Sequence, residues 1–296
     1  MRIMINGRVN GIKVLVIGGS GFVGSHLMRY FSCHGTSSSG EAGFLKLDIT
    51  DTKSVNKILK DENPDLVINS SGLTNVDYCE MHQNEAIRVN GYAVENIANA
   101  AEGVGASLCH ISTDYVYSGE GCNYTEEDET GPVNVYGQSK LIGEELLRSR
   151  KSTVLRISTP YGFNITKKKV TFLEFIVSNL ENMKPVKIVD DQFTSPTFLD
   201  EIPIVIEKLF HLNKTGIYNL GSSDCLSRFE FSKMVATVFK LNDELILRAK
   251  TSDLHFVARR PQNCCMNNEK VKSIAHLGEV KNNLEKIRES FSHRFT

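Results

Sequence analysis

Three side chains in this sequence could together move a proton onto or off a carbonyl oxygen. Tyr136 and Lys140, in Tyr136-Gly137-Gln138-Ser139-Lys140, are spaced to project from one face of a helix, about one turn apart. A free phenol titrates near pH ~10 and is a poor proton donor at neutrality unless a neighbouring cation stabilises its phenolate, so Lys140 is expected to tune Tyr136 for general acid–base work. Thr113, in Ser112-Thr113-Asp114-Tyr115 at the end of an apolar run, offers a hydroxyl to the reacting oxygen. Tyr/Lys pairs at this spacing decorate many solvated helices. The motifs ahead of this pair give it meaning.

The run Val14-Leu15-Val16-Ile17 leads into Gly18-Gly19-Ser20-Gly21-Phe22-Val23-Gly24, where Gly18, Gly21 and Gly24 carry a G-x-x-G-x-x-G spacing. Glycine permits the tight turn and lets the backbone lie against a pyrophosphate, which then sits on the free N–H groups of the following helix. Placed after the first buried strand, the turn reads as a dinucleotide site with Phe22 and Val23 at its wall. An acidic residue at the end of the second strand would hydrogen-bond a ribose 2′-hydroxyl and repel a 2′-phosphate. The segment Cys33 to Ser39 instead offers Thr36, Ser37 and Ser38 with a nearby His34, so NADP(H) is favoured and NAD(H) stays possible. Asp48, in Leu47-Asp48-Ile49, could accept from an adenine amino group or serve a helix N-terminal turn together with Asp51.

Those side chains must be held by a regular frame. Continuous apolar runs recur at Val14 to Ile17, Phe44 to Leu47, Leu66 to Asn69, Leu108 to Ser112, Val154 to Ile157, Val186 to Val189 and Ile217 to Leu220. Unbroken hydrophobicity suits strands buried on both faces. Helical spacing marks Phe22 to Phe31, Thr52 to Leu59, Asn84 to Val104, Tyr136 to Leu147 and Thr171 to Leu180. The alternation predicts an α/β fold: a Rossmann-type, doubly wound parallel sheet with a smaller C-terminal α/β lobe. The rhythm loosens after Tyr161, around Lys167-Lys168-Lys169 and three prolines, which divides the chain into 1–162 for the dinucleotide and 163–296 mainly for substrate, with returns to the first unit allowed.

The composition agrees with such an enzyme. With 296 residues, 41% hydrophobic and a net charge of −1, the chain lacks the overall basic field expected of a nucleic-acid or anionic-membrane binder. No apolar run approaches the ~18 residues of a membrane span, and the first eleven residues do not read as a secretory signal. The seven cysteines are scattered without a C-x-x-C, which argues against a disulfide framework or zinc site and for a reducing cytoplasm. No metal is expected.

Taken in order, these segments resemble the extended short-chain dehydrogenase/reductases and, more narrowly, the dTDP-4-dehydrorhamnose reductase family. The resemblance spans nearly the whole chain: Val67-Ile68-Asn69-Ser70-Ser71-Gly72-Leu73-Thr74-Asn75-Val76-Asp77, Val89-Asn90, Ile111-Ser112-Thr113-Asp114-Tyr115-Val116-Tyr117, Lys140-Leu141-Ile142-Gly143-Glu144, Val189-Asp190-Asp191-Gln192-Phe193-Thr194-Ser195-Pro196-Thr197 and Arg259-Arg260-Pro261. It implies that Thr113, Tyr136 and Lys140 are catalytic, that Asn90 helps position the lysine, and that Ile49, Ser70, Ser71 and Gly72 join the cofactor site. It assigns Thr74, Asp114, Tyr115, Gln192, Ser195, Thr197 and Arg260 to the nucleotide-sugar. Arg260 suits a diphosphate bidentately, or is a solvated turn.

The implied reaction is NAD(P)H-dependent reduction of a 4-keto nucleotide-sugar such as dTDP-4-dehydro-L-rhamnose, in a possible homodimer. Related 4,6-dehydratases place Glu where this chain has Tyr115, so reduction is favoured over elimination. Two rival readings are a non-catalytic NADP-binding subunit resembling the regulatory β subunit of methionine adenosyltransferase, and a nucleotide-sugar epimerase.

Overall fold

The structure, a computed structural model, describes residues 4–5, 8–9, 11–166 and 170–292, so the Lys167-Lys168-Lys169 run lies outside the described residues. A short antiparallel ribbon, β1 (Met4–Ile5) with β2 (Arg8–Val9), comes first. The sheet strands follow as β3 (Val14–Ile17), β4 (His34–Ser37), β5 (Leu45–Lys46), β6 (Leu66–Asn69), β7 (Ser107–Thr113) and β8 (Ser152–Ile157). Beyond them lie β9 (Val186–Val189), β10 (Phe193–Thr194), β11 (Gly216–Leu220), β12 (Leu226–Ser227) and β13 (Ile246–Ala249).

The seven-stranded sheet is parallel throughout, in the order β11-β8-β7-β6-β3-β4-β5. The apolar runs are continuous because successive residues serve opposite faces. Val14 and Val16 enter one core with Leu27 and Ile206, whereas Leu15 and Ile17 enter another with Val55 and Ile97. Strand order reverses at β3, where β4 lies to one side and β6 to the other, and that is where a doubly wound sheet opens a crevice beyond its strand ends.

After Tyr161 a separate core forms around Ile176, Phe231, Val235 and Leu284, packed between the helices Phe172–Glu181, Arg228–Phe239 and Val280–Ser292. The chain returns to the main sheet through the helix Glu201–His211 and β11. Val186 to Val189 is a strand, but it pairs with β13 in this second unit.

Two expectations need correction. The helix anticipated over Asn84 to Val104 is interrupted by a π-helical stretch, Ile87–Tyr92. There Asn90 turns inward to Leu73 and Ser139, and a Cβ on Gly143 would lie 2.7 Å from the Asn90 carbonyl oxygen, so close packing sets the local winding. The scattered cysteines also mislead: Cys225 and Cys265 form a disulfide across 40 residues. Pairing of β10 with β12, and of Phe193 with Asn263, gathers those segments, which spacing cannot show. Disulfides persist in oxidising surroundings, so cysteine usage no longer speaks for a reducing compartment. No helix among the described residues is long and apolar enough to cross a membrane.

The helix Val135–Glu145 is tied to the sheet by an ion pair. Glu144 receives Arg156 Nη2 at 2.6 Å, both partners almost wholly buried, and Ser112 Oγ also donates to Glu144. Removing one partner strands a desolvated charge at a cost of roughly 3–5 kcal/mol. Arg156→Met is therefore expected to lower the unfolding free energy by about 3 kcal/mol, read from the denaturant midpoint with the slope unchanged; a loss below roughly 1 kcal/mol contradicts the assigned role.

Candidate active site

The crevice at the sheet reversal is built where side chains are missing. Gly18 has φ +80°, and a Cβ there would lie 2.7 Å from the Ser71 backbone. A Cβ on Gly24 would collide with the Gly18 carbonyl oxygen. Thr36 locks the turn from β4, receiving Gly18 N–H on Oγ1 at 3.3 Å and Gly19 N–H on its carbonyl at 2.9 Å.

The cleft above this turn, about 410 Å³, is lined by Gly18, Gly21, Thr36, Ser37, Ser38, Asp48, Ile49, Ser70, Ser71 and Gly72. Glycines, hydroxyls and one carboxylate along a groove at a helix N-terminus fit a dinucleotide. Asp48 Oδ1 also receives Thr50 N–H and Oγ1–H, which holds its carboxyl below the usual range, while Asp51 caps the next helix. Two charged groups here were not anticipated. Ser37 and Ser39 both donate to Glu41, and Arg88 lines the same cleft from the π-helical stretch, reaching Thr50 Oγ1 at 3.3 Å. Neither is visible from spacing: Glu41 meets the serines from the loop after β4, and Arg88 enters the cleft from a helix outside the glycine motif.

A second cleft of about 400 Å³ shares Gly21, Ser70, Ser71 and Gly72 with the first. Phe22, Val23, Thr74, Thr113, Asp114, Tyr115, Tyr136 and Lys140 line it, so the parts read as reactive from sequence meet in one place. Thr113 ends β7, Asp114 and Tyr115 form the 3₁₀ turn after it, and Tyr136 and Lys140 come from the helix opened by the Asn134 cap. The rings of Tyr115 and Tyr136 meet edge to face, 5.9 Å between centroids.

Burial governs the electrostatics. It raises the Tyr136 phenol well above its usual value despite a lowering hydrogen bond from Thr113. Lys140 is brought down to about 8, because desolvation outweighs the attraction of Glu144. The Asp114 carboxyl rises to about 6 through burial, partly offset by hydrogen bonds from Ser158 and Thr113. Thr113 lowers the phenol through its hydrogen bond, burial outweighs it, and the phenol is held in its protonated form.

Other expected contacts lie elsewhere. Asn90 holds Leu73 N–H at 2.8 Å and donates to Ser139 at 3.0 Å, so it braces the Gly72–Leu73 turn rather than touching Lys140. Gln192 donates to Thr251, Ser195 bonds Met266, and Thr197 receives Ser158 N–H; all three are buried among these partners and do not line the catalytic cleft. Arg260 pairs with Asp77 at 2.9 Å and lines a neighbouring groove. Besides Lys140, the basic residue that lines the catalytic cleft is Arg228, at the start of a helix capped by the Ser227/Glu230 box. Ser227 and Glu230 close a reciprocal cap at this helix start, and nothing local in the sequence aims Arg228 at Tyr136.

The profile of the RmlD substrate binding domain family matches residues 12–292. The chain belongs to that family. Among RmlD relatives, it is 31% identical over 274 residues to the dTDP-4-dehydrorhamnose reductase of Aggregatibacter actinomycetemcomitans, covering 88% of this chain and 92% of that one. It is 34% identical over 226 residues to the spore coat polysaccharide biosynthesis protein SpsK of Bacillus subtilis, covering 75% and 78%. The solved dTDP-4-dehydrorhamnose reductase from Bacillus anthracis str. Ames, in complex with NADP, superposes with TM-score 0.86 at 25% identity over 94% of this chain and 99% of that one.

Within this RmlD-type site, a Cβ on Gly137 would collide with the Tyr115 carbonyl oxygen. Gly137→Ala should therefore push the Tyr136 helix off the Tyr115 turn, cutting turnover at least about tenfold, since small misplacement of catalytic groups costs that much or more. Steady-state kinetics beside a melting curve check this; unchanged kcat in a folded variant contradicts the close fit.

Proposed function

We propose that this protein is an NADPH-dependent reductase of a 4-keto nucleotide-sugar, converting dTDP-4-dehydro-L-rhamnose to dTDP-L-rhamnose. The observation that carries the reading is the meeting of Thr113, Tyr136 and Lys140 in a cleft continuous with the glycine turn, in a chain of the RmlD family. The NADP held by the Bacillus anthracis relative supports the cofactor. The reading assigns residues 1–162 chiefly to the cofactor and the later residues chiefly to the sugar nucleotide, with β11 returned to the first unit.

The residues that would hold the dinucleotide are those of the glycine turn, Thr36 to Ser38 and Ser70 to Gly72; bound there, it supplies hydride. Everything else falls to the chain. Tyr136 carries the proton that the carbonyl oxygen receives, and its raised pKa keeps it in the donor form. Thr113 Oγ1 is fixed by receiving Tyr115 N–H at 3.2 Å, and its hydroxyl proton, turned from Asp114, is offered to the same oxygen. Lys140 stands behind the phenol as proton reservoir and ribose contact. Tyr115 stands where the related 4,6-dehydratases place a Glu, so the carboxylate that drives elimination there is missing at that position. Arg228, stacked on Phe172, rather than Arg260, paired with Asp77, is the arginine that would meet a diphosphate in this cleft.

Purified protein with NADPH and the dTDP-keto sugar is expected to oxidise the nicotinamide stoichiometrically; no turnover with NADPH or NADH overturns the reading. Nicotinamide retained tightly through purification would favour the epimerase, and a stoichiometric synthetase partner without turnover the regulatory subunit. Tyr136→Phe should lower kcat by roughly 100-fold or more while NADPH affinity stays within about twofold, because only the proton is lost. Arg228→Gln should raise the KM for the sugar nucleotide by about tenfold or more, the scale of one charge-assisted bond, whereas Arg260→Gln should not.

A further inference from the structure

Behind the catalytic cleft a chain of buried polar groups connects Lys140 to the Ser70–Gly72 turn. Ser71 donates to Asn69 Oδ1 from its backbone N–H at 3.1 Å and from its hydroxyl at 2.6 Å. Asn69 Nδ2 lies 3.0 Å from His110 Nδ1, and His110 Nε2 lies 3.1 Å from Lys140 Nζ. Lys140 Nζ also donates to the Ile111 carbonyl at 2.7 Å. Asn69 and His110 are 1% and 0% exposed, so no solvent relieves a mismatch.

The direction of every bond follows from one group that cannot be reassigned. A backbone N–H only donates, so the atom of Asn69 facing Ser71 is the oxygen and the atom facing His110 is the amide nitrogen. His110 Nδ1 must then accept. A ring whose Nδ1 accepts is neutral and carries a single proton, and burial likewise holds His110 far below its usual pKa. That proton is on Nε2, pointing at Lys140. Two N–H groups facing each other would be repulsive, so the lysine must offer a lone pair.

We infer that His110 is a positioning residue whose Nε2–H form, fixed by Asn69 and Ser71, opposes the charging of Lys140, so that protonating Lys140 requires a tautomer switch in His110 and a turn of the Asn69 amide away from Ser71. The proton state of Lys140 is thereby linked to the turn that walls the cofactor cleft. The titratable groups facing Lys140 are His110 from β7, Tyr136 and Glu144 from its own helix; Glu144 is already engaged by Arg156 and Ser112. The linkage matters for catalysis only if the reductase reading holds, but the tautomer itself is a property of the free protein.

The test is long-range ¹⁵N–¹H correlation on the free, uniformly labelled protein across the Lys140 titration. Above that titration, His110 should show protonated Nε2 and bare Nδ1; below it, the ring should switch to Nδ1–H in the same step in which Lys140 Nζ protonates. Asn69→Asp, whose carboxylate can only accept, should hold the Nδ1–H form throughout and raise the Lys140 titration by at least about one pH unit. Asn69→Ser, which removes the amide donor and places no charge there, should release the ring, so that Nδ1–H appears beside Nε2–H in the alkaline limb. A wild-type ring that is Nδ1–H at every pH, or a tautomer change out of step with Lys140, overturns the inference. Absence of reductase turnover would not touch it.

Discussion

The helix that carries Tyr136 and Lys140 lies where it does because Glu144, two turns beyond Tyr136, is held inside the protein by Arg156 of β8 and Ser112 of β7. A buried ion pair is a poor source of net stability, since desolvation absorbs most of the attraction. Its effect here is placement. Arg156 also donates to Tyr117 at 2.7 Å, and Tyr117 reaches Asn219 of β11, so one guanidinium joins the helix, the turn after β7 and the returning strand. With that frame set, Thr113 at the end of β7 and Tyr136 on the helix face one cleft, and the glycine turn after β3 opens beside them.

The frame was legible wherever burial on two faces imposed a continuous apolar run. Val14 to Ile17 and Leu66 to Asn69 appear with the bounds their hydrophobicity suggests, and Thr113, Tyr136 and Lys140 meet because strand ends and helix starts are local features. What sequence left hidden depends on contacts between distant segments. His-Gly-Thr-Ser does not read as an apolar strand, yet β4 is buried between β3 and β5. The disulfide joins segments brought together only by strand pairing in the second unit. Arg228 and His110 carry no local signature: the first is aimed into the cleft by packing of its helix, and the second lies inside the run Leu108 to Ser112, its partners coming from β6 and the Lys140 helix.

Charge follows the same economy. A net charge of −1 leaves no field to draw anionic ligands over long distances. The cofactor turn offers backbone amides and a helix N-terminus, the catalytic cleft adds Arg228, and Arg260 is neutralised by Asp77 beside a neighbouring groove. Recognition of two diphosphates therefore needs local groups only, and the uncharged interior is what depresses Lys140 and raises Tyr136.

The central claim is that this cleft joins hydride transfer to protonation by the chain's own phenol at one carbonyl. It is tested most directly by turnover of dTDP-4-dehydro-L-rhamnose with NADPH deuterated at the transferring position, followed by mass and proton spectra of the product sugar. The account predicts one deuterium at the new carbinol carbon, with the hydroxyl proton from solvent. A product free of deuterium, or deuterium at any other carbon, would contradict it.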